Sequence, residues 1–213
     1  MRVVSWNVRS LRDGRRAVAS ALASLAPDVV ILQEAPRLWL WRSSRRRLAR
    51  RAGLRVATGG RAAGNVILVR ARPERAYARS FPRRRGLHRR GTVGVVVLLD
   101  GRQLAIVGTH LDLDPAARQD SAAAVRALAP SLPLVLGADV NEEPGGPAWR
   151  LLLDGLVDLG TAPTFPARAP QRRIDVLAAA PELSVALRVV PTAASDHQLL
   201  VADVRWNAPT GCS

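Results

Sequence analysis

Residues 92–110 read TVGVVVLLDGRQLAIVGTH. Two runs rich in β-branched and aliphatic residues, Thr92–Leu99 and Gln103–Thr109, flank Asp100-Gly101, a dipeptide suited to the positive φ values of a tight turn. The segment is therefore predicted to form a β-hairpin. Its second strand closes on a polar pair, Thr109-His110. An apolar run ending in a chemically capable side chain is the pattern that recurs along the rest of the chain.

Upstream, strands are predicted at Arg2–Asn7, Asp28–Gln33 and Asn65–Arg70. A helix over Asp13–Ala26 places Val18, Leu22 and Leu25 on one face and stops before Pro27. An arginine-rich helix is predicted over Pro36–Ala52, with Leu38, Trp41, Leu48 and Ala52 inward and Gly53 as its stop. Downstream come a helix over Asp114–Ala129, a strand over Leu134–Ala138 and a short helix over Gly146–Leu153. Strands at Arg173–Leu177, Ser184–Val190 and Leu199–Val204 close the chain, and Arg79–Arg90 is expected to be a mobile loop. This is a mixed α/β pattern with enough strands for more than one sheet, expected as one domain over residues 1–206 and a short tail over 207–213.

Composition narrows the function classes. At 213 residues with 48% hydrophobic content, the chain can build a full core, which excludes wholesale disorder. Cys212 is the single cysteine, so no disulfide scaffold forms within the chain. Apolar runs such as Val93–Leu99 are too short to span a bilayer, so no stable membrane insertion is expected. The opening Arg2-Val3-Val4 turns polar at Ser5 and Asn7, unlike an export signal, and the expected location is the cytoplasm. The net charge of +15 is uneven: Arg37–Arg90 holds eighteen arginines and one acid, Glu74, whereas the remainder holds fourteen arginines and sixteen acids. Such a stretch would attract a polyanion, and nucleic acid is the expected partner of a protein that acts as a monomer. The plainer reading is compositional bias, since the chain contains no lysine and many of these arginines could be solvated surface.

Six strand ends carry uncommon polar residues. They are Trp6-Asn7, Gln33-Glu34, Thr109-His110, Asp139 and Asn141, Arg173-Ile174-Asp175, and Ser195-Asp196-His197. Each has an ordinary reading on its own. Asn7 could cap a turn, His110 could be a satisfied core histidine, and Asp-x-Asn is a common turn builder. In order, at successive strand ends where a rigid sheet can converge side chains on one point, they point to a site.

With Leu32-Gln33-Glu34, Thr109-His110-Leu111 and Gly137-Ala138-Asp139-Val140-Asn141 completing the set, the sequence resembles the endonuclease/exonuclease/phosphatase superfamily of metal-dependent phosphodiesterases. The resemblance spans residues 6 to 197. It implies a four-layer α/β/β/α sandwich, two packed mixed β-sheets with helices outside. It also implies a Mg2+ ion, with Mn2+ as an alternative, held by Glu34 with Asn7 and Asp196. Magnesium takes few protein oxygens and keeps waters for a substrate phosphate. On the same resemblance, Asp175 orients His197, and either His197 or Asp139 positions or deprotonates the attacking water. Asn141 orients Asp139 or the phosphate oxygens, and His110 donates to a non-bridging oxygen.

Departures from the family pattern bear on substrate. The usual Gly-Asp-aromatic-Asn becomes Gly137-Ala138-Asp139-Val140-Asn141, and the Asp139 to Asn141 spacing survives. Ser5-Trp6-Asn7-Val8 looks like the abasic-site endonuclease branch, but Ala35-Pro36, Arg172 and His110 stand where that branch carries other residues. The expectation is a metal-dependent hydrolase of phosphodiesters, a nuclease with DNA favoured. The alternatives are a phosphatase or phospholipase acting on sphingomyelin or inositol phosphates, and a non-catalytic basic nucleic-acid-binding module.

Overall fold

The computed structural model describes residues 1–37, 39–60 and 63–208. The described residues form two six-stranded sheets. The first runs, in spatial order, β11 (Leu183–Val190), β12 (Leu199–Trp206), β1 (Arg2–Asn7), β2 (Val29–Gln33), β4 (Val66–Val69) and β3 (Arg55–Thr58). The second runs β5 (Arg75–Ser80), β6 (Gly91–Leu99), β7 (Arg102–His110), β8 (Leu134–Asp139), β10 (Asp175–Ala179) and β9 (Val157–Asp158). The helices are α1 (Arg15–Leu25), α2 (Trp41–Arg51), α3 (Pro115–Leu128) and α4 (Pro147–Leu152).

The two-residue period of a strand explains the layering. On β2, Val29 and Ile31 join Val95, Ile106, Val135 and Leu177 in the core between the sheets. The alternate residues, Val30 and Leu32, pack outward with Val18, Leu22 and Leu48 of α1 and α2. On the second sheet Ala105, Val107, Leu136 and Ala138 pack outward with Val125 of α3 and Trp149 of α4. Central strands buried on both faces must read as continuous apolar runs, which is how they read. The result is the expected α/β/β/α sandwich.

Two glycines let the facing sheets approach each other. A Cβ on Gly108 of β7 would lie 2.4 Å from Ile31 Cγ2, and one on Gly137 of β8 would lie 2.7 Å from Ile31 Cδ1. Both strands thus give up side chains so that Ile31 of the facing sheet can fit between them.

Register brings the functional strand ends together. β1 and β2 run parallel, with Asn7 opposite Gln33 at their C-terminal ends. β7 and β8 also run parallel, with His110 opposite Asp139. β10 is antiparallel to β8 and starts at Asp175, opposite Asp139. β12 is antiparallel to β1, so Asp196-His197, just before it, returns to the same end of the sandwich.

Three strands escape the sequence reading: β3, β5 and β9. Each is a short or partly exposed edge strand without the apolar run that made the fourth edge strand, β11, legible. The helix expected from Pro36 starts only at Trp41, and Leu38 lies outside the described residues. Leu48 and Ala52 are buried as expected, Trp41 is half-buried, and Arg45 is buried as well. The segment expected to be a mobile loop is tied at both ends. Arg79 and Ser80 belong to β5, and Phe81 N donates to Arg90 O at 2.9 Å. Cys212 and most of the expected tail, Pro209–Ser213, lie outside the described residues.

Candidate active site

Asp139, at the C-terminus of β8, is the centre on which the other side chains converge. Its Oδ2 accepts from Asn7 Nδ2 at 2.8 Å, and its Oδ1 accepts from the backbone N–H of Asn141 at 3.1 Å. Two imidazoles flank it, with His110 Nε2 at 3.4 Å and His197 Nε2 at 3.9 Å from the same Oδ2. Asp139, Asp175 and His197 form a buried cluster whose ligand-type atoms lie within 4.8 Å of one another.

His197 is oriented by a chain of hydrogen bonds. Its Nδ1 bonds Asp175 Oδ2 at 2.8 Å, and Asp175 accepts in turn from the Thr164 hydroxyl at 2.6 Å. Its carbonyl accepts from the Trp6 indole at 2.9 Å, and Phe165 packs 4.8 Å from its ring. Burial disfavours charge on this imidazole. The Asp175 hydrogen bond and the attraction of Asp175, Asp139 and Asp196 outweigh that penalty and raise the pKa to about 9.

His110 behaves in the opposite sense. Burial pushes its pKa down to about 3 against the pull of Asp139, so the ring is neutral. Asn141 Nδ2 donates to Leu111 O at 3.0 Å and stands 2.9 Å from His110 Nε2. With the amide so oriented, Nε2 accepts and the proton sits on Nδ1, which is buried without a hydrogen-bond partner among the described residues. His110 Nε2 is thus engaged within the protein, where the resemblance implied a donor to phosphate.

Two residues of the site hold left-handed backbone: Glu34 at φ 50° and Asn141 at φ 54°. At Asn141 this conformation lets the N–H reach Asp139 while its carbonyl accepts from Arg118 Nη1 at 2.6 Å. Non-glycine residues in this region cost on the order of 1–3 kcal/mol and cluster where a fold fixes functional geometry.

The residues assigned to a metal divide. Asn7 Nδ2 lies 2.8 Å from Asp139 Oδ2 and 3.3 Å from Glu34 Oε1, so two carboxylates crowd one neutral amide. Glu34 and Asp139 are the hard donors that Mg2+ takes, and a divalent cation would balance the gathered charge, whereas Asn7 turns its Nδ2 toward them and its Oδ1 accepts from the Arg9 N–H at 3.0 Å. The chemistry of the donor set therefore fits. Asp196 is occupied elsewhere, by Arg9 Nε at 3.2 Å and Ser195 Oγ at 3.3 Å. The tighter Asp139–Asp175–His197 cluster is a poorer cation site, because His197 Nδ1 is already bonded to Asp175.

Glu34, His110, Asp139, Asn141, Asp196 and His197 line one cleft of about 480 Å³. Arg12, Arg37, Arg90 and Arg172 stand around it, a cationic rim over a carboxylate floor, with His88 beside them. Arg90 is held in place by Asp112 at 3.3 Å. Thr164, Arg118 and Asp112 support the site without having been legible in the sequence. They sit in loops or on a helix, with no strand-end pattern to mark them.

The chain matches the model of the "Endonuclease/Exonuclease/phosphatase family" over residues 4–197. No curated protein matches it. Among solved structures, it is similar to a mannosyl-6-phosphatase of Bacteroides thetaiotaomicron, at 15% identity and TM-score 0.79, covering 97% of this chain and 100% of that one. It is similar to an endonuclease/exonuclease/phosphatase family protein of the same organism, at 16% identity and TM-score 0.80, covering 98% of each chain. A third is D. rerio TDP2 complexed with single strand DNA product, at 20% identity and TM-score 0.74, covering 96% of this chain and 98% of that one.

Proposed function

We propose that this chain, which belongs to the endonuclease/exonuclease/phosphatase family, is a Mg2+-dependent phosphodiesterase acting on nucleic acid, DNA before RNA. The observation that carries this reading is the pairing of Asp139 and His197 across 3.9 Å in a cleft that also holds Glu34. An anion and a cation then face one phosphodiester from adjacent strand ends.

Each residue has a task in an in-line displacement. Asp139, fixed by Asn7 and Asn141, aligns the attacking water and takes its proton. His197, kept cationic by Asp175, donates from Nε2 to a phosphoryl oxygen as charge grows there. The water oxygen forms the new bond to phosphorus. The bond to the leaving oxygen breaks, and that oxygen keeps the electron pair and takes a proton from solvent. The products are a phosphomonoester and an alcohol. Asn141 holds Asp139 from the other side through its backbone N–H, and its side-chain amide fixes neutral His110. A cation held by Glu34 and Asp139 would neutralise the phosphate and stabilise the leaving oxygen.

Nucleic acid is favoured over a sugar or lipid phosphate by the charge around the cleft. Arg12, Arg37, Arg90 and Arg172 line the cleft, more cations than one phosphate needs to balance its charge. Purified protein with Mg2+ is expected to cleave single-stranded and plasmid DNA faster than RNA, sphingomyelin, inositol phosphates or a sugar phosphomonoester. Preferred release of phosphate from the monoester would instead make it a phosphatase. DNA binding that is equally strong with chelator, without cleavage of any substrate, would make it a binding module.

A further inference from the structure

Beside the catalytic cleft lies a larger groove, of about 1300 Å³. It is built from the segment between β2 and α2, the first turn of α2, and residues of β5 and the β5–β6 connection. Arg37 lines both the groove and the cleft, so the two adjoin. Arg42, Arg46, Arg83 and Arg89 also line it, and no carboxylate among the described residues lies within ion-pair distance of any of these five arginines.

Two tryptophans in the groove differ in kind. Trp41 is half-buried and its ring is already covered by the guanidinium groups of Arg45 at 4.7 Å and Arg42 at 4.8 Å. Trp39 is 92% exposed, with Leu40 beside it at 71%. A bare aromatic face among unpaired arginines, in a concave channel leading to a phosphodiester site, matches the two requirements of an unpaired strand. Its phosphates need cations, and its bases need a π-surface. A duplex presents the phosphates but keeps its base faces stacked inside.

We propose that this groove binds single-stranded nucleic acid leading into the cleft, with Arg42, Arg46 and Arg83 on its phosphates and Trp39 stacked on a base. The proposal rests on the phosphodiesterase reading for its direction, but binding in the groove is measured apart from cleavage.

The test uses fluorescence anisotropy of the full chain in chelator, with a labelled single-stranded 12-mer DNA and the matching duplex. Trp39→Ala is expected to weaken single-strand binding by about 5- to 150-fold, the range for loss of one base–aromatic stack. It should leave duplex binding little changed, and Trp39→Phe should restore most of the loss. Arg42→Ala/Arg46→Ala/Arg83→Ala should flatten the logarithmic salt dependence for the single strand by about 2, at roughly 0.7 per phosphate contact. Unchanged single-strand affinity in Trp39→Ala overturns the proposal, as does an equal loss on both forms. Loss of binding to phosphatidylserine vesicles in Trp39→Ala, with the single-strand affinity intact, assigns the groove to a membrane surface instead. A parallel Mg2+ assay on bis(p-nitrophenyl) phosphate separates the two readings, since Trp39→Ala and the triple arginine variant should hydrolyse this small diester like wild type. If no protein hydrolyses it, the enzymatic reading fails while the binding result still stands or falls alone.

Discussion

Asp139 and His197 are side chains that sequence order could identify and only the fold could pair. They lie 58 positions apart in the chain and 3.9 Å apart at their closest polar atoms. Asn7, Glu34, His110, Asn141 and Asp175 were readable for the same reason, because each interrupts or bounds an apolar run where a core residue would be the default. Thr164 was not readable. It lies in an irregular segment, and only the 2.6 Å bond to Asp175 gives it a role. His197→Ala and Asp139→Asn are each expected to cut turnover by about 10²–10⁴-fold, the usual worth of acid–base and charge-stabilising groups, with folding intact by circular dichroism. A variant within a few-fold of wild type would remove its residue from the mechanism. The raised His197 pKa also makes a stability prediction. Below the ordinary value of 6.5 both folded and unfolded chains hold the proton, and the stabilisation is present in full. As pH rises toward about 9, the unfolded chain has released its proton while the folded chain keeps it, so the stabilisation is progressively lost. In chelator, wild type should therefore lose denaturation midpoint across this window more steeply than His197→Gln. Parallel curves for the two proteins would contradict the ion pair.

At the scale of elements, α2 gives the clearest difference between sequence and structure. Arg45, Arg46 and Arg47 read as one basic run within the stretch whose arginines were expected either to meet a polyanion or to be solvated surface. The helix turns Arg45 inward, to 2% exposure, where it donates to Pro36 O at 2.8 Å and to Gly59 O at 2.6 Å. It ties the segment following Glu34 to the end of β3, and burial lowers its pKa to about 10. The register of a helix decides which arginine of a run is structural: Arg45 falls on the face of Trp41, Leu48 and Ala52 that was expected to turn inward, and its charge disguised it. Arg45→Ala should cost about 1–3 kcal/mol in urea denaturation by leaving buried carbonyls unpaired. Arg47→Ala should stay within about 0.5 kcal/mol, as exposed substitutions usually do. Equal costs would contradict the assignment. Gly108 makes a second test on β7. Gly108→Ala should cost about 1–3 kcal/mol by overpacking against Ile31. Combined with Ile31→Ala, it should cost less than the two single changes added, because the new methyl occupies space that Ile31 leaves. Strict additivity would place the clash elsewhere.

For the molecule as a whole, the central strands were legible because burial on both faces forces continuous apolar runs. Of the four edge strands, β11 was legible from its apolar run, whereas β3, β5 and β9 were not, because they are short or arginine-bearing and partly exposed. The layer order and the closing of six strand ends onto one cleft follow from two parallel pairs, β1 with β2 and β7 with β8, that no local pattern encodes. The uneven charge acquires a place in the fold: arginines from the basic stretch line both the cleft and the groove beside it, while the gathered carboxylates lie on the cleft floor. No helix among the described residues is long and apolar enough to cross a membrane. The central claim, that these strand ends form a metal-dependent phosphodiester-cleaving site, meets its most direct test in one assay. Purified protein is incubated with single-stranded DNA in Mg2+ or in chelator, beside Glu34→Gln. The account predicts cleavage in Mg2+ that disappears with chelator and falls by about 10²-fold or more in the variant, as expected when a group that holds or positions the reacting centre is neutralised. Cleavage that persists in chelator, or that Glu34→Gln retains at the wild-type rate, would contradict it.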